Sequence, residues 1–171
     1  MTGTTGALAP RQTYACSTKR QDERLLTLTA FDPLKGRGKA LRTIQKDPDA
    51  DFAAGELSPD RTTFAISRGG EGEIHIRLLS LSRGSDHEIR VKDWPNITGL
   101  DWSADGKGFY AGSVSPRSAT LLYVDLKGNA RVQWQVKGME REIWGFPSPD
   151  GRYLAILGEA TNSNVWMLEG F

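Results

Sequence analysis

Three aspartates, Asp60, Asp105 and Asp150, stand 45 residues apart, and each follows a serine (Ser58, Ser103, Ser148) by two positions. Repeated carboxylates could act as general acid and base or hold calcium. The even interval argues for equivalent turns of successive repeats, spaced too widely to work on one substrate. Serine is plentiful, but no G-x-S-x-G occurs and neither histidine stands near a plausible nucleophile. His75, in GEIHIRLL, reads as a strand residue, and His87, in GSDHEIR, as a surface residue. The single cysteine, Cys16 in YACS, cannot form an internal disulfide and reads as a buried, inert thiol. SRGGEGE at Ser67–Glu73 resembles a phosphate loop in composition only. It joins two strands and so lacks the helix N-terminus that would hold an anion. LKGRGK at Leu34–Lys39 reads as a solvated basic turn. No catalytic, cofactor-binding or metal-ligating residue is assigned.

Composition narrows the classes further. The chain has 171 residues with 22 Lys+Arg against 21 Asp+Glu, a balance that carries no polybasic arm for nucleic acid and no acidic tail. No apolar run has the length of a membrane-spanning helix. One cysteine and two histidines make a Cys/His-built metal site unexpected. Residues Met1 to Pro10 are small and polar, with no basic residue ahead of an apolar stretch, so no secretion signal is read in this chain.

The serines and aspartates belong to a longer repeat. LSPDRTTFAIS from Leu57, WSADGKGFYAGS from Trp102 and PSPDGRYLAIL from Pro147 align without gaps, and LAPRQTYACS from Leu8 is a fourth copy lacking one residue. A short apolar segment precedes each S-x-D (Phe52–Gly55, Ile97–Trp102, Ile143–Phe146), and a β-rich run follows it (Phe64–Ser67, Phe109–Gly112, Tyr153–Leu157). Ser-Pro-Asp-Gly between two such runs predicts a hairpin closed by a type I turn, with Pro presetting φ at the second position. Third strands are expected at Leu78–Leu81, Leu121–Leu126 and Val165–Leu168, and fourth strands at His87–Val91 and Arg131–Val136. In the first copy Arg24–Phe31 and Lys39–Ile44 take these roles. The nearest helix candidate, Lys39–Lys46, has few apolar residues at helical spacing, so the expectation is all-β.

Four short antiparallel strands in about 45 residues is the signature of a propeller blade. The S-P-D-G turn, followed by a strand such as LLYVDLKGN at Leu121–Asn129, resembles the WD40-like repeat of TolB-type β-propeller proteins. Three positions depart from that pattern: Arg61 stands in place of Gly, Ala104 in place of Pro, and the first copy lacks its aspartate. The Gly-His and Trp-Asp pairs of eukaryotic WD40 blades do not occur. The expected blades are 1–51, 52–96, 97–141 and 142–171 of a partial β-propeller. About four blades is the lower end of known propellers. The chain is therefore expected either to be the C-terminal part of a larger propeller, with blades upstream, or to close a ring as a homodimer.

The resemblance implies a module that binds a protein or small ligand, the sensory or scaffolding part of a larger bacterial protein. TolB-like relatives work in the periplasm with envelope proteins, which makes a protein partner the expectation. The alternative it implies is the gating propeller of a prolyl-oligopeptidase-like hydrolase. Blade connections and the loops after second strands share one face in propellers. Arg20, Asp22, Arg68, Glu71, Trp94, Arg117 and Arg141 are the candidates for a partner-binding rim there, a mixed-charge ring with one aromatic.

Overall fold

Hairpin turns joining short apolar or alternating stretches build the elements that follow. The computed structural model describes residues 15–22, 25–32, 34–45, 52–68, 73–82, 84–94, 97–116, 118–137 and 142–159. All the secondary structure among them is β, in four antiparallel sheets whose strands follow one another in chain order. The chain divides into two compact units, Met1–Pro48 and Asp49–Phe171.

The first unit holds sheet 1: β1 (Ala15–Asp22), β2 (Leu25–Asp32) and β3 (Gly36–Gln45). Leu28 and Ile44 are buried, and the Thr27 and Thr43 hydroxyls meet across β2 and β3 at 3.1 Å. The weak helix pattern from Lys39 is strand as far as Gln45. Leu34 and Lys35 form an exposed turn between β2 and β3.

The second unit holds the other sheets. Sheet 2 is β4 (Phe52–Leu57), β5 (Thr63–Arg68), β6 (Glu73–Ser80) and β7 (His87–Lys92). Sheet 3 is β8 (Ile97–Trp102), β9 (Gly108–Ser115), β10 (Ser118–Asp125) and β11 (Ala130–Lys137). Sheet 4 is β12 (Ile143–Pro147) and β13 (Leu154–Gly158). The expected strand at Val165–Leu168 lies outside the described residues. The third strand of sheet 2 starts five residues earlier than expected, because Ile74 and Ile76 point into the core while Glu73, His75 and Arg77 alternate outwards. Strand β10 buries Ala119, Thr120, Leu121 and Leu122 in succession, so both of its faces are covered. That is the mark of a sheet packed between two others. First strands β4, β8 and β12 lie side by side, β8 between the other two.

The repeat turns are built alike. Arg61, Gly106 and Gly151 each donate a backbone N–H to the carbonyl of Ser58, Ser103 or Ser148. Each serine Oγ donates to the aspartate two residues on, at 2.6, 2.7 and 2.6 Å, and accepts the backbone N–H that restarts the strand. Serine and aspartate are thus required at this spacing to satisfy the turn. The fourth residue takes φ of +65° at Arg61, +68° at Gly106 and +70° at Gly151. An arginine in that region costs about 1–2 kcal/mol that glycine avoids.

Sheets 2 and 3 enclose the main core, which joins Ala65, Ile74, Ile76, Ile89 and Val91 to Leu100, Trp102, Phe109, Leu122 and Val124. A smaller cluster of Ala119, Leu121 and Ile143, with Tyr110 and Leu154 against it, joins sheets 3 and 4.

Candidate functional site

The repeated aspartates serve their own turns. In Asp60, Asp105 and Asp150 the serine hydroxyl bond, followed by backbone N–H bonds, holds the carboxyl below its ordinary range. Asp125 is held low in the same manner by the Asn129 side chain and backbone, capping the turn between β10 and β11. Carboxylates so held are ionised at neutral pH, and through these bonds they close their turns.

Turns of adjacent repeats nevertheless meet. A side chain at Gly151 would touch the Ala104 methyl at 3.4 Å, so the turns bearing Asp105 and Asp150 are neighbours. Between them opens a cleft of about 450 Å³, lined by Ser103, Asp105, Tyr110, Tyr123, Arg131, Pro147 and Asp150 among others. Tyr110 and Tyr123 meet edge to face with centroids 5.6 Å apart, and the Arg131 guanidinium lies 4.8 Å from the Tyr123 ring centre. Position 108 is glycine, and a Cβ there would clash with the Val124 carbonyl and come within 2.7 Å of the Tyr123 hydroxyl, so this glycine makes room for both the neighbouring backbone and the phenol. Neither phenol hydroxyl is hydrogen-bonded among the described residues, and no described carboxylate pairs with Arg131. Sequence reasoning passed over Tyr110, Tyr123 and Arg131. The available signal was the repeat register, in which Tyr110 and Tyr123 stand where the previous copy has Ala65 and Leu78.

A second hollow, of about 380 Å³, is lined by Arg90, Lys92, Asp93, Trp94, Lys127, Gly128, Asn129 and Ala130. Trp94 packs one side against the main core and is only partly buried. Of the expected partner-binding rim, Trp94 alone has a described side chain. Arg20, Asp22 and Arg68 are placed by backbone only, in β1 and β5, while Glu71, Arg117 and Arg141 lie outside the described residues. The Cys16 side chain is likewise not described, although its backbone is in β1.

On the outer face of sheet 2, His75 Nδ1 lies 3.1 Å from Glu88 Oε1, and Arg90 Nε donates to the same oxygen at 3.2 Å. The His75 bond is the main reason the Glu88 carboxyl is held low. His87 Nε2 faces the Ser85 hydroxyl at 3.4 Å on the surface. On the first strands, Asp101 is raised to about 6 by burial and then by the charge of Glu56, and burial also raises Glu56. Among the described residues no three His, Cys, Asp or Glu side chains converge in a metal-holding group.

No protein-family model matches the chain, and no curated protein matches it in sequence. Solved structures do match in fold. TolB from Acinetobacter baumannii superposes with a TM-score of 0.61 at 17% identity, over 88% of this chain and 36% of its own. A functionally unknown protein from Desulfotomaculum acetoxidans gives 0.51 at 15% identity, over 89% of this chain and 51% of its own. The chain thus has the fold of a TolB-type β-propeller, all-β and incomplete, and spans between a third and about half the length of these neighbours.

Proposed function

We propose that the chain is a non-enzymatic part of a β-propeller whose blade connections bind a protein partner, within a longer protein or an assembly that supplies the remaining blades. The observation that carries this reading is the setting of Trp94. It is an aromatic anchored on the main core, beside a hollow rimmed by Arg90, Lys92, Asp93 and Lys127. A rigid aromatic inside a mixed-charge rim is the arrangement of an interface hot spot. The hollow is formed by backbone that the two sheets hold in place: the segment after β7 on one side and the Asp125-capped turn on the other. The fold neighbours supply the propeller; the binding role rests on this surface.

The test is affinity capture with the longest natural form of the protein, wild type against Trp94→Ala and Lys92→Glu. A specific partner retained by wild type and reduced at least tenfold by both variants supports the reading. Capture that is indifferent to both variants, or hydrolytic activity in the isolated chain, overturns it. Light scattering on the 171-residue chain separates the two ways of completing the ring, since only self-association gives a dimer.

A further inference from the structure

We propose that the cleft between sheets 3 and 4 is a binding site for a small neutral polyhydroxylated ligand, a saccharide of one or two rings. The cleft exists because the repeat is broken at this boundary. Between sheets 2 and 3, Trp102 and Phe109 fill the space beside Ala65 and Leu78. One repeat later the corresponding residues are Pro147 and Leu154 beside Tyr110 and Tyr123. The bulk has moved to the other wall and acquired hydroxyls, leaving about 450 Å³ open. That volume suits a ligand of about 300 Å³ or less, in the range of small-molecule sites.

The lining selects the chemistry. Two phenol hydroxyls, each donor and acceptor, and the five N–H donors of Arg131 have no hydrogen-bonding partner among the described residues. Asp105 and Asp150 add carboxylate oxygens. Arg152 Nε donates to Asp150 Oδ2 at 2.6 Å, whereas Lys107 Nζ stays 3.8 Å from Asp105 Oδ2. Around the cleft Arg131, Lys107 and Arg152 stand against Asp105 and Asp150, so an anion drawn to the bases meets the aspartates and a cation drawn to the aspartates meets the bases. A neutral ligand with both donors and acceptors meets neither repulsion. The tyrosine rings with Pro147 and Pro149 supply the apolar part of the lining, against which the C–H groups of a sugar ring can pack. This site is separate from the Trp94 surface and does not rest on the protein-binding reading.

The experiment is a titration of the whole chain, followed by backbone-amide NMR, with maltose, cellobiose and N,N′-diacetylchitobiose, and with benzoate and putrescine as charged probes. At least one disaccharide is expected to give saturable shifts centred on Tyr110, Tyr123 and Arg131. Tyr123→Phe, which keeps the ring and removes the hydroxyl, and Arg131→Gln are each expected to weaken it at least fivefold, with Trp94→Ala leaving it unchanged. If Arg131→Gln fails to fold, Tyr123→Phe decides. The proposal is overturned if no disaccharide shifts these amides, if only a charged probe does, or if binding survives Tyr123→Phe at full strength.

Discussion

The two boundaries of the larger unit, sheet 2 against sheet 3 and sheet 3 against sheet 4, come from the same repeat and do different work. At the first, Trp102 and Phe109 pack with ring centres 4.2 Å apart, and the indole N–H reaches across to the Glu56 carbonyl at 3.3 Å. Large rings enter from the later sheet onto the small Ala65 of the earlier one, and the contact closes. At the second, Trp144 packs onto Gly99 along the first strands, but at the turn end the rings belong to the earlier sheet and the later one offers Pro147 and Leu154, so the contact stays open there. At the turn end, which wall carries the aromatic residues thus separates a closed contact from one that can admit a ligand.

The most direct way to break that contrast is to empty each boundary at the same repeat position. Phe109 is fully buried, and Phe109→Ala is expected to cost about 3–5 kcal/mol through lost burial and the cavity left behind. Leu154 is only partly buried, and Leu154→Ala is expected to cost about 1–2 kcal/mol, below the range for a fully buried aliphatic truncation because part of the side chain already meets water. Urea unfolding midpoints measure both. Equal losses would mean that the second boundary bears as much load as the first.

The first strands offer a second contrast. Glu56, Asp101 and Phe146 occupy one repeat position, so an acidic pair on β4 and β8 is followed by an apolar residue on β12. Asp101 titrates near 6 in the folded chain, above its ordinary 3.8. The folded state therefore holds the proton more tightly than the unfolded state does. The destabilisation is fully present above pH 6 and is relieved as pH falls towards 4. Asp101→Asn is expected to stabilise the chain by about 1–2 kcal/mol at pH 8, an amount already reduced for the solvent that reaches a half-buried carboxylate. The gain should disappear near pH 4. Thermal unfolding of both forms across that range checks it, and a gain independent of pH would remove burial of the charge as its cause.

The sequence made the hairpins legible because serine and aspartate in S-x-D are demanded by the turn itself, and local chemistry of that kind survives at fixed spacing. The start of β6 is harder to read: charged residues alternate with Ile74 and Ile76 there, and the more apolar stretch from Leu78 to Leu81 begins later. Nothing in the sequence marks the cleft by itself, since none of Tyr110, Tyr123 or Arg131 belongs to a motif. Their meaning comes from comparing one repeat with the next and from β-sheet packing, which sets residues 45 positions apart against one another. The partner-binding rim was legible only at Trp94, whose setting the two sheets determine.

The smallest expected effect concerns a hydroxyl at the second boundary. Thr98 Oγ1 is buried without a hydrogen-bond partner among the described residues, close to where a Cβ on Gly112 would meet both it and the Ile143 carbonyl. An unsatisfied buried hydroxyl costs free energy that an isosteric methyl does not. Thr98→Val is therefore expected to leave stability unchanged or raise it by up to about 1 kcal/mol. Val keeps the β-branched shape that suits β8, so packing should change little. A shift in the urea midpoint of that sign would show that the boundary carrying the cleft is imperfectly satisfied as well as open at its turn end. A loss of stability would show instead that the hydroxyl is engaged, and that the two boundaries differ in packing alone.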